Sequence, residues 1–64
     1  MKIFVEQIRL KKKLTLSELS RRSGVAVSHI HGIEAGTRIP SITVICKLSK
    51  GLDVSPYDLF SCEN

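Results

Sequence analysis

The stretch from Thr15 to Gly36 constrains the fold most strongly, because it contains signals for the beginning and the end of two short helices. Thr15 and Glu18 form a capping-box pattern, in which the Thr hydroxyl accepts from a backbone N–H one turn on and the Glu side chain accepts from the backbone N–H of the cap. Gly24 and Gly36 stand where a left-handed residue usually follows the last turn of a helix. The sequence therefore predicts two short helices joined by a tight turn, over about residues 15–36.

Three further helices complete the predicted architecture. The first of these three helices spans about residues 2–12. Within the central pair already described, the second helix begins near Ala26. A fourth helix is capped by Ser41 and stopped by Asp53, since Asp tolerates the left-handed conformation better than most residues. A short fifth helix starts at Pro56, which suits a first helical position. Spacings of three and four residues dominate, so no strand is predicted.

The expected core consists of apolar residues at helical spacing, with Cys46 in the same apolar run. Its other members are Met1, Val5, Ile8, Leu19, Val25, Ile30, Ile33, Ile42, Ile45, Leu48, Leu52, Leu59 and Phe60. Residues 61–64 form a polar tail that we expect to be frayed.

The length and charge of the chain narrow its function. A chain of 64 residues forms one domain at most and buries only about 60% of the surface that it exposes when unfolded. Because a deep active-site cleft would compete with the core, we expect no enzyme. Ten Lys and Arg against six Asp and Glu leave a net charge of +4, which favours a polyanionic partner. A basic surface without such a partner is the open alternative.

Membrane and metal partners are not expected either. No apolar run approaches the roughly 20 residues that span a bilayer. The N-terminal stretch Met1-Lys2-Ile3-Phe4-Val5-Glu6 meets a charge within six residues, too early for the apolar segment of a signal peptide. These features predict an intact, cytoplasmic protein. Cys46 and Cys62 form neither a disulfide framework nor a C-x-x-C pair. His29 and His31, two residues apart on a helix, point about 200° apart and cannot share a metal. We therefore expect no cofactor.

One long run of residues resembles the Xre and Cro-like phage-repressor family of helix-turn-helix proteins. The run is Leu14-Thr15-Leu16-Ser17-Glu18-Leu19-Ser20-Arg21-Arg22-Ser23-Gly24-Val25, followed by Ile30 and Ile33-Glu34-Ala35-Gly36. Similarity continues through Pro40-Ser41, Leu48-Ser49-Lys50, Leu52-Asp53-Val54-Ser55 and Leu59-Phe60. The resemblance implies an all-α, compact five-helix, lambda-repressor-like DNA-binding domain over residues 1–64. It also implies a sequence-specific duplex DNA-binding transcriptional regulator, a repressor acting as a homodimer.

In this family the third helix enters the DNA major groove, and the resemblance assigns base readout to Val27, Ser28 and Gly32. His31 lies on the neighbouring exposed strip and is added to that group. Gly32 either permits a close approach of the helix to bases or is merely tolerated there. Leu16 replaces a Gln that usually bonds a phosphate, so it either packs against the third helix or touches the DNA.

Other positions are assigned to the DNA backbone and to structural contacts. Helix N-termini carry free N–H groups and partial positive charge that suit phosphates. The expected backbone contacts are Lys13, Thr15, His29, Thr37 and Arg38. The resemblance implies a structural pair, Arg9 and Glu34, between the first and third helices. It also implies a dimer surface near the C-terminal helices, for which Val44 and Tyr57 are the exposed candidates.

A different class of function remains open at this point. Val27, Ser28 and Gly32 offer little of the paired hydrogen bonding that Arg, Gln or Asn gives to a base. An antitoxin-like or adapter domain with a protein as its main partner, binding DNA only weakly, is therefore the alternative. An RNA adapter fits less well, because the chain lacks an aromatic stacking surface.

Overall fold

The computed structural model describes residues 1–62. Within them the chain forms four α-helices, one short 3₁₀ helix and a small antiparallel sheet of two strands. In chain order the elements are β1 (Lys2–Ile3), α1 (Val5–Lys11), α2 (Leu16–Ser23), α3 (Val27–Ala35), α4 (Ile42–Leu52), the 3₁₀ helix (Pro56–Asp58) and β2 (Phe60–Ser61). The prediction of five α-helices was therefore wrong.

The two ends of the described chain are paired, which the sequence did not predict. Lys2 pairs with Ser61 and Ile3 with Phe60. The backbone N–H of Phe4 then donates to the Leu59 carbonyl at 2.8 Å. The predicted first helix over residues 2–12 therefore begins only after Phe4. The frayed tail was also predicted too early, since Ser61 lies in a strand; residues 63–64 of that prediction lie outside the described residues.

The predicted fifth helix is a single 3₁₀ turn. Ser55 caps it by accepting from the Tyr57 backbone N–H at 3.2 Å, and Asp58 accepts from the Ser55 backbone N–H at 3.1 Å. Leu59 follows directly and is fully buried. This helix ends after one turn because Leu59 enters the core and β2 begins directly after it.

The boundaries of α2, α3 and α4 agree with the predicted signals. Thr15 Oγ1 accepts from the Glu18 backbone N–H at 3.0 Å, and the Thr15 N–H donates to Glu18 Oε1 at 2.9 Å. Gly24 ends α2 with a φ of 76°, and Asp53 ends α4 with a φ of 57°. The helix stops are therefore local backbone conformations that their residues favour.

Nine apolar side chains form the buried core. They are Val5, Leu19, Val25, Ile30, Ile33, Ile45, Leu48, Leu52 and Leu59. Three predicted core members, Ile42, Cys46 and Met1, are instead exposed, Ile42 at 84%. The buried stripe of α4 runs through Ile45, Leu48 and Leu52, so Cys46 falls beside it and Ile42 lies one turn before its start. Met1, also expected in the core, is 61% exposed.

Helices α2 and α4 approach each other closely at Gly51. A Cβ added there would lie 2.9 Å from the Ser23 Cβ and 3.1 Å from Leu19 Cδ1. This contact places α2, and with it the turn into α3, directly on the longest helix of the domain. In the described part of the chain, no helix has the length and apolarity needed to cross a membrane.

Candidate nucleic-acid interface

Helix α3 is held against the core by one face and is exposed on the other. Ile30 and Ile33 are buried, and Val25 in the preceding turn is 4% exposed. The backbone N–H of Val25 donates to Ser23 Oγ at 3.2 Å, which ties the turn to the end of α2. The orientation of α3 is therefore fixed by its packing on the core and by the turn at Gly24. The face of α3 opposite the core is accessible to a partner.

The exposed face of α3 carries three of the four residues predicted for base readout. Val27, Ser28 and His31 are exposed, and residues three or four apart are neighbours on a helix surface. His29, predicted to contact the DNA backbone, is half-buried on another side. The structure thus brings Val27, Ser28 and His31 together and sets His29 apart from them.

Gly32 occupies a different position from the other three. It is buried beneath the loop that follows α3. Its carbonyl accepts from the backbone N–H groups of Thr37 and Arg38, at 2.9 and 3.1 Å, and from Thr37 Oγ1 at 3.2 Å. The loop therefore closes over the residue that was expected to face the bases.

The N-terminus of α3 has no anionic side chain in its first turn, whereas the first turn of α2 already contains a carboxylate. Ala26 precedes α3 without a side-chain hydrogen bond to its first turn, which also contains no acidic residue. At α2 the Glu18 carboxylate accepts from the backbone of Thr15, and this hydrogen bond, followed by that of the Thr15 hydroxyl, lowers the pKa of Glu18. The absence of a cap at Ala26, which costs about 1 kcal/mol of stability, leaves N–H donors at the start of α3.

The remaining predicted backbone contacts are exposed and lie in loops or at helix ends. Lys13 follows α1 with a φ of 59°, a left-handed conformation that favours glycine. Thr15 is exposed at the start of α2, although its hydroxyl accepts from Glu18. Thr37 and Arg38 are exposed in the loop after α3.

Leu16 is half-buried and packs against the core, which favours the packing interpretation of this residue.

Arg9 and Glu34 form a bidentate ion pair between α1 and α3. Arg9 Nε donates to Glu34 Oε2 at 2.8 Å, and Arg9 Nη2 donates to Glu34 Oε1 at 3.1 Å. Nη1 donates to the Leu14 carbonyl at 2.9 Å. The hydrogen bond to Glu34 raises the pKa of Arg9 against the opposing effect of burial. The side chains are only 10% and 5% exposed, so the pair acts as a buried structural brace between α1 and α3.

The residues predicted for a dimer surface differ in their exposure. Val44 is half-buried and packs against the core, whereas Tyr57 is 82% exposed. Tyr57 instead borders an apolar groove of about 340 Å³, here called the α4 groove, which is lined by Met1, Pro40, Ile42, Ile45, Cys46, Pro56, Tyr57 and Phe60. Sequence reasoning missed Ile42 as a surface residue because its spacing to Ile45 suggested a core position.

A capped helix, a tight turn at Gly24 and a second helix with an exposed face define a helix-turn-helix domain. The family model described as Helix-turn-helix matches residues 5–59. The chain belongs to this family of Xre and Cro-like helix-turn-helix proteins.

Two relatives are named as HTH-type transcriptional regulators SinR. The chain is 40% identical over 58 residues to the protein of Bacillus licheniformis, covering 89% of this chain and 52% of that protein. It is 41% identical over 56 residues to the protein of Bacillus subtilis (strain 168), covering 86% and 50%. The chain thus spans about half the length of these two relatives.

Solved structures of restriction-modification controller proteins share the fold. C.AhdI from Aeromonas hydrophila is 36% identical, with a TM-score of 0.84 over 88% of this chain and 85% of that chain. Wild-type C.Esp1396I is 35% identical, with a TM-score of 0.76 over 80% of this chain and 67% of that chain.

Proposed function

We propose that this protein is a sequence-specific duplex DNA-binding transcriptional regulator that acts as a repressor in homodimeric form. The observation that carries the proposal is the exposed face of α3, formed by Val27, Ser28 and His31 on a helix that the Arg9–Glu34 pair holds against α1. An α-helix is about 10–12 Å across and fits a major groove about 12 Å wide. Relatives named as transcriptional regulators support the same function.

Affinity for DNA would come mainly from groups around this face. Lys13, Thr37 and Arg38 are exposed and suit contacts to phosphates, and the uncapped N-terminus of α3 adds backbone donors. Thr15 would contribute through its position at the start of α2, since its hydroxyl already serves the capping box. His29, half-buried, would contribute least.

Specificity would come from the few base contacts that the face allows. Val27 can contact a thymine methyl group, and Ser28 and His31 can hydrogen-bond a base edge or a phosphate. None of these side chains provides the bidentate contact typical of Arg or Asn, so DNA shape would supply part of the discrimination.

The homodimer would form through the α4 groove. Ile42 and Tyr57 are 84% and 82% exposed beside it, and a second copy of the chain would remove both from water. The half-buried Val44 would play a smaller part than the sequence suggested. Two α3 helices related by a twofold axis would then enter half-sites about 10 bp apart.

A dimer on its operator would repress by blocking access of polymerase to the same DNA. Such a protein works where bacterial or phage DNA lies, which is the cytoplasm.

Selection of bound duplexes from a random library at near-physiological salt tests this function. We expect enrichment of a palindrome with half-sites about 10 bp apart, centre to centre. A single half-site would retain DNA binding and remove the dimer. No enrichment, with only weak salt-sensitive retention, would refute specific binding.

The last outcome would favour an adapter whose main partner is a protein. The specific observation in favour of that function is the apolar α4 groove, which a protein partner could cover in place of a second copy.

A further inference from the structure

Gly32 leaves room on α3 that the side chain of Arg38 fills. A Cβ added at residue 32 would lie 3.0 Å from both Cγ and Cδ of Arg38, and 3.4 Å from Thr37 Oγ1. Carbon atoms pack best at about 3.5–4.0 Å, so even a methyl group at residue 32 would push the Arg38 side chain outward. The aliphatic stem of Arg38 therefore lies directly on the helix backbone.

The backbone of the same loop is fastened at the same residue. The Gly32 carbonyl accepts from the N–H groups of Thr37 and Arg38, at 2.9 and 3.1 Å, and from the Thr37 hydroxyl at 3.2 Å. Gly36 starts this loop with a φ of 81°. Backbone and side chain thus converge on Gly32, and the loop has a defined position relative to α3.

We propose that Gly32 is a positioning residue for DNA binding, whose lack of a side chain lets Arg38 lie across α3 beside the exposed face of Val27, Ser28 and His31. This inference rests on the proposed function. It replaces a direct contact of Gly32 with bases by an indirect role through Arg38.

Placement of the Arg38 stem favours binding because an ordered side chain loses less conformational freedom when it meets the DNA. Ser28 and Gly32 are one helical turn apart on the same side of α3, so the stem lies next to the base-readout face. Arg38 itself is exposed in the loop after α3. The exposed Arg38 guanidinium is therefore available to the DNA backbone.

A double-mutant cycle tests the inference on the duplex that the wild-type protein selects, with a scrambled duplex of the same composition beside it. The proteins are wild type, Gly32→Ala, Arg38→Ala and the double variant. We expect Arg38→Ala to weaken binding about tenfold, as expected for one good charged contact. Gly32→Ala should weaken binding roughly threefold to tenfold alone but less than twofold in the Arg38→Ala background, because the two act through one contact.

Two controls separate positioning from folding and from charge. Ala35→Gly changes helix propensity on α3 outside this contact, and thermal unfolding of every variant records stability. Arg38→Lys keeps a cation on an aliphatic stem and should recover most of the binding if the contact is to a phosphate. In the free protein, NMR should show cross-relaxation between Gly32 Hα and Arg38 Hδ protons.

Failure of this inference and failure of the proposed function would give different results. Losses that add in the double variant, or the absence of the Gly32–Arg38 cross-peak, would overturn the inference while selective wild-type binding stands. A wild-type protein that selects no duplex would refute the proposed function, and the DNA role of Gly32 with it.

Discussion

Arg9 and Glu34, which lie 25 positions apart in the sequence, meet in a two-point ion pair with N–O distances of 2.8 and 3.1 Å. The pair joins α1 to the helix that is proposed to enter DNA. The Glu34 side chain is only 5% exposed, so the pair holds α3 in place from a buried position rather than by contact with the partner.

Replacing Glu34 by Ala should destabilise the domain by about 3 kcal/mol, because it leaves the Arg9 guanidinium buried without its carboxylate. Arg9→Met combined with Glu34→Leu should recover most of that loss, since apolar pairs of similar volume often replace buried ion pairs at little cost. Chemical denaturation of the single and double variants measures the difference. Equal losses in Glu34→Ala and in the double variant would show that the unpaired Arg9 charge is not what destabilises Glu34→Ala.

Gly51→Ala should destabilise the fold although alanine favours helices. The new Cβ would lie 2.9 Å from the Ser23 Cβ, and such overpacking costs about 1–3 kcal/mol, against a gain of about 1 kcal/mol in helix propensity. Lys50→Ala, at an exposed neighbouring position, is the control and should change stability by less than about 0.5 kcal/mol. A Gly51→Ala variant as stable as wild type would mean that moving α2 away from α4 costs no more than the gain in helix propensity of about 1 kcal/mol.

Local signals account for the part of the fold that the sequence predicted. The cap at Thr15 and the left-handed stops at Gly24 and Asp53 depend on hydrogen bonds within one helical turn. Pairing of Ile3 with Phe60 joins the ends of the described chain through strands of two residues each, which are too short for a periodic pattern to reveal. The exposure of Ile42 depends on where the buried stripe of α4 begins, which spacing alone does not define.

The candidate site likewise contains features that local sequence signals predict and one that depends on distant parts of the chain. The exposure of Ser28 and His31 follows from helical periodicity once Ile30 and Ile33 are placed in the core. Coverage of Gly32 by Arg38 depends on the path of the loop after Gly36, and the sequence offered only a close approach to bases or a tolerated glycine.

Lys13→Gly should separate stability from DNA binding. Lys13 has a φ of 59°, so glycine should stabilise the domain by about 0.5–1 kcal/mol. Loss of the charge should weaken DNA binding and reduce the salt slope by about 1 if Lys13 contacts a phosphate. Lys12→Gly, with a φ of −88°, is the matched control and should lower stability instead. Unchanged affinity in a more stable Lys13→Gly protein would remove Lys13 from the interface.

Glu18→Gln should alter the acid sensitivity of the fold. The hydrogen bonds from Thr15 lower the pKa of Glu18 below its usual 4.5, so the unfolded chain binds this proton more readily than the folded one. The stabilisation is therefore present above pH 4.5 and is lost as the pH falls through the lower folded value. We expect the difference in Tm between wild type and Glu18→Gln to be largest near pH 6 and to shrink toward pH 3. A difference that stays constant over this range would mean that the charge of Glu18 does not contribute to the cap.

Ile42→Lys should dissociate the proposed homodimer without unfolding the protomer. Ile42 is 84% exposed at the α4 groove, so a charge there is solvated in the monomer but would be buried against a second copy. Sedimentation velocity should show the monomer, and binding to a palindromic duplex should fall to that of one half-site. Leu10→Lys is the matched control, because Leu10 is 58% exposed and lies on α1, outside the groove lining. Dissociation by Leu10→Lys with an intact Ile42→Lys dimer would place the interface on α1, because the introduced charge disrupts association only where the partner copy would bury it.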